Sequence, residues 1–198
     1  MSARNCRSFL VGIIILNLMT SVALADPAPA PAAAPVTPAD PEKLMAQAEK
    51  ALDIEDLAAA IKLYTQAAEL NYTPAQVAMA DFLLTGEFYE SALGWYLMAA
   101  MQGDADGQYG LAQMYHTGRG ITKDEAKALY WYRRAAAQNH LQAIQLIAQA
   151  YRVGGFSGQI PVDPDRAKSW GDKALYLESV SKKAALKKSQ EEAAKKSK

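Results

Sequence analysis

Four segments of this chain repeat one another, and that self-similarity restricts the possible folds more than any other feature. Leu63-Tyr64-Thr65-Gln66-Ala67-Ala68, Trp95-Tyr96-Leu97-Met98-Ala99-Ala100, Trp131-Tyr132-Arg133-Arg134-Ala135-Ala136 and Trp170-Gly171-Asp172-Lys173-Ala174 align on the alanines Ala67, Ala99, Ala135 and Ala174, at spacings of 32, 36 and 39. A period in this range marks a stack of small supersecondary units, each of which buries its apolar face only against its neighbours.

Each unit reads as two amphipathic helices, because apolar residues recur at helical spacing in both halves. Hydrophobic residues make up 51% of the chain, with Ala and Leu prominent and no long alternating runs of Val, Ile and Thr, which favours helix over sheet. Gly118 and Gly120 end one helix and turn the chain. Length changes between units fall in one loop: it is shortened by four residues in the second unit and lengthened by three, between Gly154 and Asp163, in the fourth. Asp40-Pro41 and Asp163-Pro164 read as N-caps followed by a proline in the first turn. Thr73-Pro74 reads the same way, with Gln76 closing a capping box. For the third unit, Asp124 and Thr122 (with Glu125) are alternative caps.

The Gly118-x-Gly120-Ile121 turn, the Asp124-x-x-Lys127-Ala128 helix start and the Trp131-Tyr132-x-x-Ala135-Ala136 ending resemble the Sel-one-like repeat family, relatives of the tetratricopeptide repeats. The match covers 104–139 and 140–176 well and 71–103 in part, and is weakest over 40–70, which could equally be called tetratricopeptide-like. The resemblance implies an all-α fold, a right-handed α-solenoid of about four stacked helix-turn-helix repeats, used as a protein-binding scaffold. The domain reading is a signal peptide at 1–25, a Pro/Ala-rich linker at 26–39, repeats at 40–70, 71–103, 104–139 and 140–178, and a Lys-rich tail at 179–198.

In such arrays the first helix of each hairpin lines the concave face. On the segment 139–153, Gln142, Gln145, Gln149 and Arg152 lie at spacings of 3, 4 and 3 and share one stripe. One unit earlier the stripe holds Asp106, Tyr109, Gln113 and His116, and one unit before that Pro74, Val77, Asp81 and Leu84. Glutamines donate and accept hydrogen bonds and suit a peptide backbone or a glycan. The alternative is a plain solvated helix face. Phe156, in the enlarged loop, is a candidate contact knob, or else tucks under its own loop.

No chemistry is expected of the chain. His116 and His140 are the only histidines, with no third ligand at metal spacing, so neither metal nor cofactor is expected. Ser157 lacks the setting of a nucleophile elbow. Some cysteine-rich relatives are implied to bind or hydrolyse β-lactams, but their disulfide in each repeat has no counterpart here, since the one cysteine is Cys6.

The N-terminus carries Arg4 and Arg7, the apolar run Phe9 to Met19 and the small-x-small site Ala23-Leu24-Ala25. This is the pattern of an export signal cleaved before Asp26, giving a periplasmic or secreted protein; the alternative is a retained N-terminal anchor. Five of the 14 residues from Asp26 to Ala39 are proline, a composition that favours an extended spacer. Residues 182–198 hold seven Lys and two Glu, whereas residues 26–181 hold 12 Lys and Arg against 19 Asp and Glu. An acidic body argues against nucleic acid as a partner. The expected partner is another protein, one of the cell envelope. The Lys-rich tail is either a solvated end or a contact for peptidoglycan or another anionic surface, the acidic body included.

Overall fold

In the computed structural model, residues 40–196 are described; the expected signal segment and linker lie outside them. Among the described residues the fold is all-α, the class of the helical-repeat solenoids. Eight helices follow one another: α1 Pro41–Asp53, α2 Leu57–Glu69, α3 Thr73–Thr85, α4 Tyr89–Met101, α5 Ala105–Thr117, α6 Glu125–Ala137, α7 Leu141–Val153 and α8 Pro164–Lys196. They pair as four hairpins and form two compact units, α1–α4 and α5–α8, with Arg119–Ile121 belonging to the first.

In the first unit α1 packs on α2, α2 on α3 and α3 on α4. Its core is built from alanine and one large residue per turn: Ala60, Ile61, Tyr64, Ala67 and Ala68 on α2, and Ala75, Met79, Ala80 and Leu83 on α3 are buried. Small side chains let the backbones approach, and rings fill the remaining space, as where Tyr64 of α2 meets Phe82 of α3 with centroids 5.7 Å apart. Successive helices are joined by one recurring tight turn. Glu55, Asn71 and Glu87 take left-handed backbone angles (φ 61, 61 and 65), and the next residue's N–H closes back on the helix just ended, Asp56 to Ala51 O at 2.8 Å and Phe88 to Leu83 O at 2.9 Å. Gly120, with φ 67, lies so close to α4 that a Cβ there would be 2.6 Å from the Tyr89 carbonyl carbon and oxygen. Glycine is required by both angle and space.

Asp40 caps α1 as expected, its Oδ1 accepting from the N–H of Glu42 at 3.1 Å. The capping box at α3 does not form. Tyr72 is the N-cap and makes no side-chain cap bond, Thr73 and Pro74 are already helical, and Gln76 is buried against the end of α2.

In the second unit α5 packs on α6, α6 on α7 and α7 on α8. Asp104, Asp124, His140 and Asp163 cap the four helices. Asp124, not Thr122, caps α6, because its own N–H is fixed to Tyr115 O at 2.9 Å while its carboxylate accepts from the Lys127 N–H at 2.9 Å. The fourth hairpin repeats this arrangement through Asp163 N–H to Tyr151 O at 2.7 Å and Arg166 N–H to the Asp163 carboxylate at 2.9 Å. The same bonds close loops of different length, so the hairpin accommodates the three extra residues without losing its closing bonds. The cation of each Asp-x-x-Lys/Arg start also lies over the same ring, Lys127 5.4 Å above Tyr115 and Arg166 5.6 Å above Tyr151.

Phe156, read above as a contact knob or as a ring tucked under its own loop, is only 7% exposed. Gly155 and Ile160 form a small bridge, and Phe156, Ser157 and Gly158 all take positive φ (52, 51 and 84), which rolls the loop over and drives the ring inward against Tyr132. The Ser157 hydroxyl donates to Glu125 Oε2 at 2.6 Å and ties the loop to α6. After its packed face, which buries Ala167 and Ala174, α8 runs without a break through the Lys-rich segment, exposed from Ser179 to Lys195.

Candidate functional site

The stripe positions differ from helix to helix. On α3, Val77 and Leu84 are half-buried; Asp81 is exposed and accepts the hydroxyl hydrogen of Tyr96, a ring buried in α4. Burial and the Asp81 carboxylate both push the Tyr96 hydroxyl well above its usual pKa.

On α5 the stripe is largely covered. His140, at the start of α7, stacks its ring on Tyr109 with centroids 4.4 Å apart, and its Nε2 lies 3.1 Å from Asp106 Oδ1. Gln113 Nε2 donates to the Tyr109 hydroxyl at 3.0 Å. His116 is half-buried, its ring 5.6 Å from Phe156 and 6.3 Å from Tyr132. Among the described residues its Nδ1 is the one buried side-chain polar atom left without a partner. Only Asp106 of this row is exposed. The His140 side chain is 7% exposed, and burial lowers its pKa against the pull of Asp106. The Ser157 hydroxyl and the Lys123 ammonium hold the Glu125 carboxyl below the usual range.

On α7 the row is open. Gln142, Gln145, Gln149 and Arg152 are all exposed on one face. Three of them are already positioned: Gln145 Nε2 donates to Glu178 Oε1 of α8 at 2.7 Å, and Arg152 donates to Gln149 Oε1 at 3.0 Å. The row thus exposes both donors and acceptors, from the glutamine amides and the Arg152 guanidinium.

A second set of glutamines escaped the sequence reading. Gln76 Oε1 accepts from Gln102 Nε2 at 2.8 Å, and Gln76 Nε2 donates to Ala68 O at 3.2 Å, bracketing the end of α2 to the following hairpin. Gln108 Oε1 accepts from Gln138 Nε2 at 2.9 Å, and the same amide reaches Gly103 O at 2.8 Å. Gln76 and Gln108 are 32 residues apart, and Gln102 and Gln138 36 apart, the offsets of the repeat itself. The matched positions in the first and fourth hairpins are Leu44 with Leu70 and Ile144 with Leu177. The pair is therefore polar together or apolar together, and that joint pattern was the available signal.

Among the described residues no group of three or more His, Cys, Asp or Glu could hold a metal ion, and no helix is long and apolar enough to cross a membrane.

Comparison with known proteins fits this architecture. The model of the Sel1 repeat matches four times, at residues 53–72, 73–104, 105–140 and 142–179, together more than half of the chain. A Sel1 repeat protein from Oxalobacter formigenes superposes with a TM-score of 0.64 at 30% identity, over 70% of this chain and 59% of that one. A protective antigen of uropathogenic Escherichia coli with an SLR fold superposes with a TM-score of 0.63 at 28% identity, over 70% of this chain and 31% of that one. Chitin synthase regulatory factor 3 of Schizosaccharomyces pombe is 37% identical over 86 residues, 40% of this chain but 9% of that protein. The chain thus spans less than two thirds of each relative. Proteins built from this repeat generally mediate protein–protein interaction and are typically non-catalytic. The chain belongs to the Sel1 repeat family.

Proposed function

We propose that this protein is an exported, non-catalytic adaptor that binds a protein of the bacterial cell envelope through the open row on α7. The observation that carries the reading is the contrast between two equivalent helices. His140 and Phe156 lie over the α5 row, whereas Gln142, Gln145, Gln149 and Arg152 stand exposed and partly positioned by Glu178. Four long polar side chains at spacings of 3, 4 and 3 suit an extended backbone better than an apolar anchor. Export rests on the basic, apolar and small-x-small succession of residues 1–25. A crosslinking pull-down from intact cells tests it. The parent should capture one dominant envelope protein, and a variant with all four α7 residues changed to Ala should lose it. Capture of the same protein by both would remove the α7 row from the account.

The exposed lysines of α8 favour a second reading, attachment to peptidoglycan or another anionic surface. Pelleting with purified peptidoglycan, with and without residues 182–198, separates it from the first. Absence of pelleting in both forms discards it.

A further inference from the structure

We infer that the outer flank of α8 is a docking face for an acidic, amphipathic helix of a partner protein, a surface separate from the α7 row. The repeat itself shows what such a flank ordinarily carries. In the first hairpin Ile61, Tyr64 and Ala68 of α2 are buried, with α3 packed against that helix. In the third hairpin the matched residues Leu129, Tyr132 and Ala136 of α6 are buried, with α7 packed against α6 and Phe156 against the Tyr132 ring. This flank is thus the place where the next helix of the array is received. In the fourth hairpin the matched residues are Lys168, Gly171 and Leu175. Ala136 is 0% exposed, whereas Leu175 is 65% exposed. A Cβ built at Gly171 would meet nothing within 4 Å, so there is open space where Tyr64 and Tyr132 place rings.

The flank does not stop with the hairpin. Lys182 and Leu186 lie seven and eleven residues beyond Leu175, close to two and three whole helical turns, so they continue the same face of α8. Leu186 is 61% exposed. The face therefore offers two leucines three turns apart, an aromatic-sized gap one turn before the first of them, and the cations Lys168 and Lys182 alongside. Two acids border this stretch: Glu178 is already bonded to Gln145, and Asp172 stands exposed one turn from both Lys168 and Leu175, whereas beyond Glu178 the charged residues of the helix are all lysines until Glu191. The complement is a helix with a leucine and aromatic face bordered by carboxylates. A second copy of α8 fails on charge, because pairing this face with itself would set lysine beside lysine.

The test uses the full chain and a defined probe: a fluorescent 20-residue amphipathic helix with Leu and Phe on one face and Glu on the other. The matched control carries Lys in place of Glu. We expect saturable anisotropy for the acidic probe and none for the basic one. Leu175→Glu and Leu186→Glu should each weaken binding about tenfold and together abolish it, with helix content by circular dichroism unchanged because both side chains are exposed. Gln142→Ala with Gln149→Ala should leave probe binding intact, so failure here and failure of the α7 reading are told apart. Absence of binding, or binding unaltered by the double leucine variant, would overturn the inference. So would self-association of the parent that the leucine variant abolishes, which would make a second copy the occupant.

Discussion

Gln138 hands its amide hydrogen to Gln108 across 2.9 Å, and Gln102 does the same to Gln76 across 2.8 Å one repeat earlier. Gln108 and Gln76 are buried, so each pair places a polar group where the fourth hairpin has Ile144 against the α8 side that carries Leu177. A buried polar group is tolerated when bonded and costly when orphaned.

Removing one member of the pair should therefore cost more than removing both. Gln138→Leu leaves the Gln108 carbonyl unbonded and should destabilise the fold by about 1–3 kcal/mol. Adding Gln108→Ile, which copies the fourth hairpin, should restore most of that loss. Urea unfolding of the two variants and the parent measures it; additive losses would show that the two positions are not coupled.

His140 should make stability depend on pH. Its Nδ1 accepts from the Ala143 N–H at 3.2 Å, so that nitrogen carries no proton, and Nε2–H faces Asp106. Protonation would destroy the cap, and burial lowers the folded pKa even though Asp106 and Asp104 both pull it up. The unfolded chain then binds the proton more readily. The contribution is complete above the ordinary value of about 6.5 and is lost as pH falls through the lowered folded value. Melting temperature should drop between pH 7.5 and 5 in the parent, and less steeply in His140→Asn, which keeps a cap without titrating in this range. Equal slopes would exclude His140 as the source.

Gly120→Ala should be severe for a position on a loop. The added methyl would meet backbone atoms of Tyr89 at 2.6 Å, and backbone cannot rotate away as a side chain can. A loss of about 1–3 kcal/mol is expected from overpacking together with the positive φ. Gly103→Ala, with open space around its Cβ but φ 93, isolates the angular part of the cost.

Phe156→Ala should unfold the fourth hairpin more readily, with a loss of about 3–5 kcal/mol typical of an emptied aromatic site. Its ring lies 5.8 Å from Tyr132 and 5.6 Å from His116. Thermal melts followed at the tyrosine absorbance read this out. A neutral result would mean that the loop folds over without using the ring.

Much of this architecture was written locally in the chain. The alanine period gave the repeat, and aspartates before apolar periodicity gave the caps at Asp40 and Asp163. What was illegible depended on partners far along the sequence. Thr73-Pro74 imitates a cap because proline is also tolerated just inside a helix, and the true task of Gln76 involves Gln102, 26 residues away. Helical spacing put Tyr109, His116, Gln145 and Arg152 on equivalent stripes, since periodicity fixes a side chain's direction. It says nothing of what lies over that side chain, and His140 and Phe156 cover only the α5 row. Phe156 reads equally as a contact knob or as a ring tucked under its own loop, because the inward turn rests on three successive positive φ angles, two of them at residues that seldom adopt them.

The most direct test of the adaptor reading is site-specific photocrosslinking in intact cells. A photoreactive residue would be placed at Gln149 on the open α7 row and, in a second strain, at Arg133 on the exposed side of α6. The account predicts one dominant adduct with an envelope protein from position 149 and none from 133. The same adduct from 133, or none from 149, would contradict it.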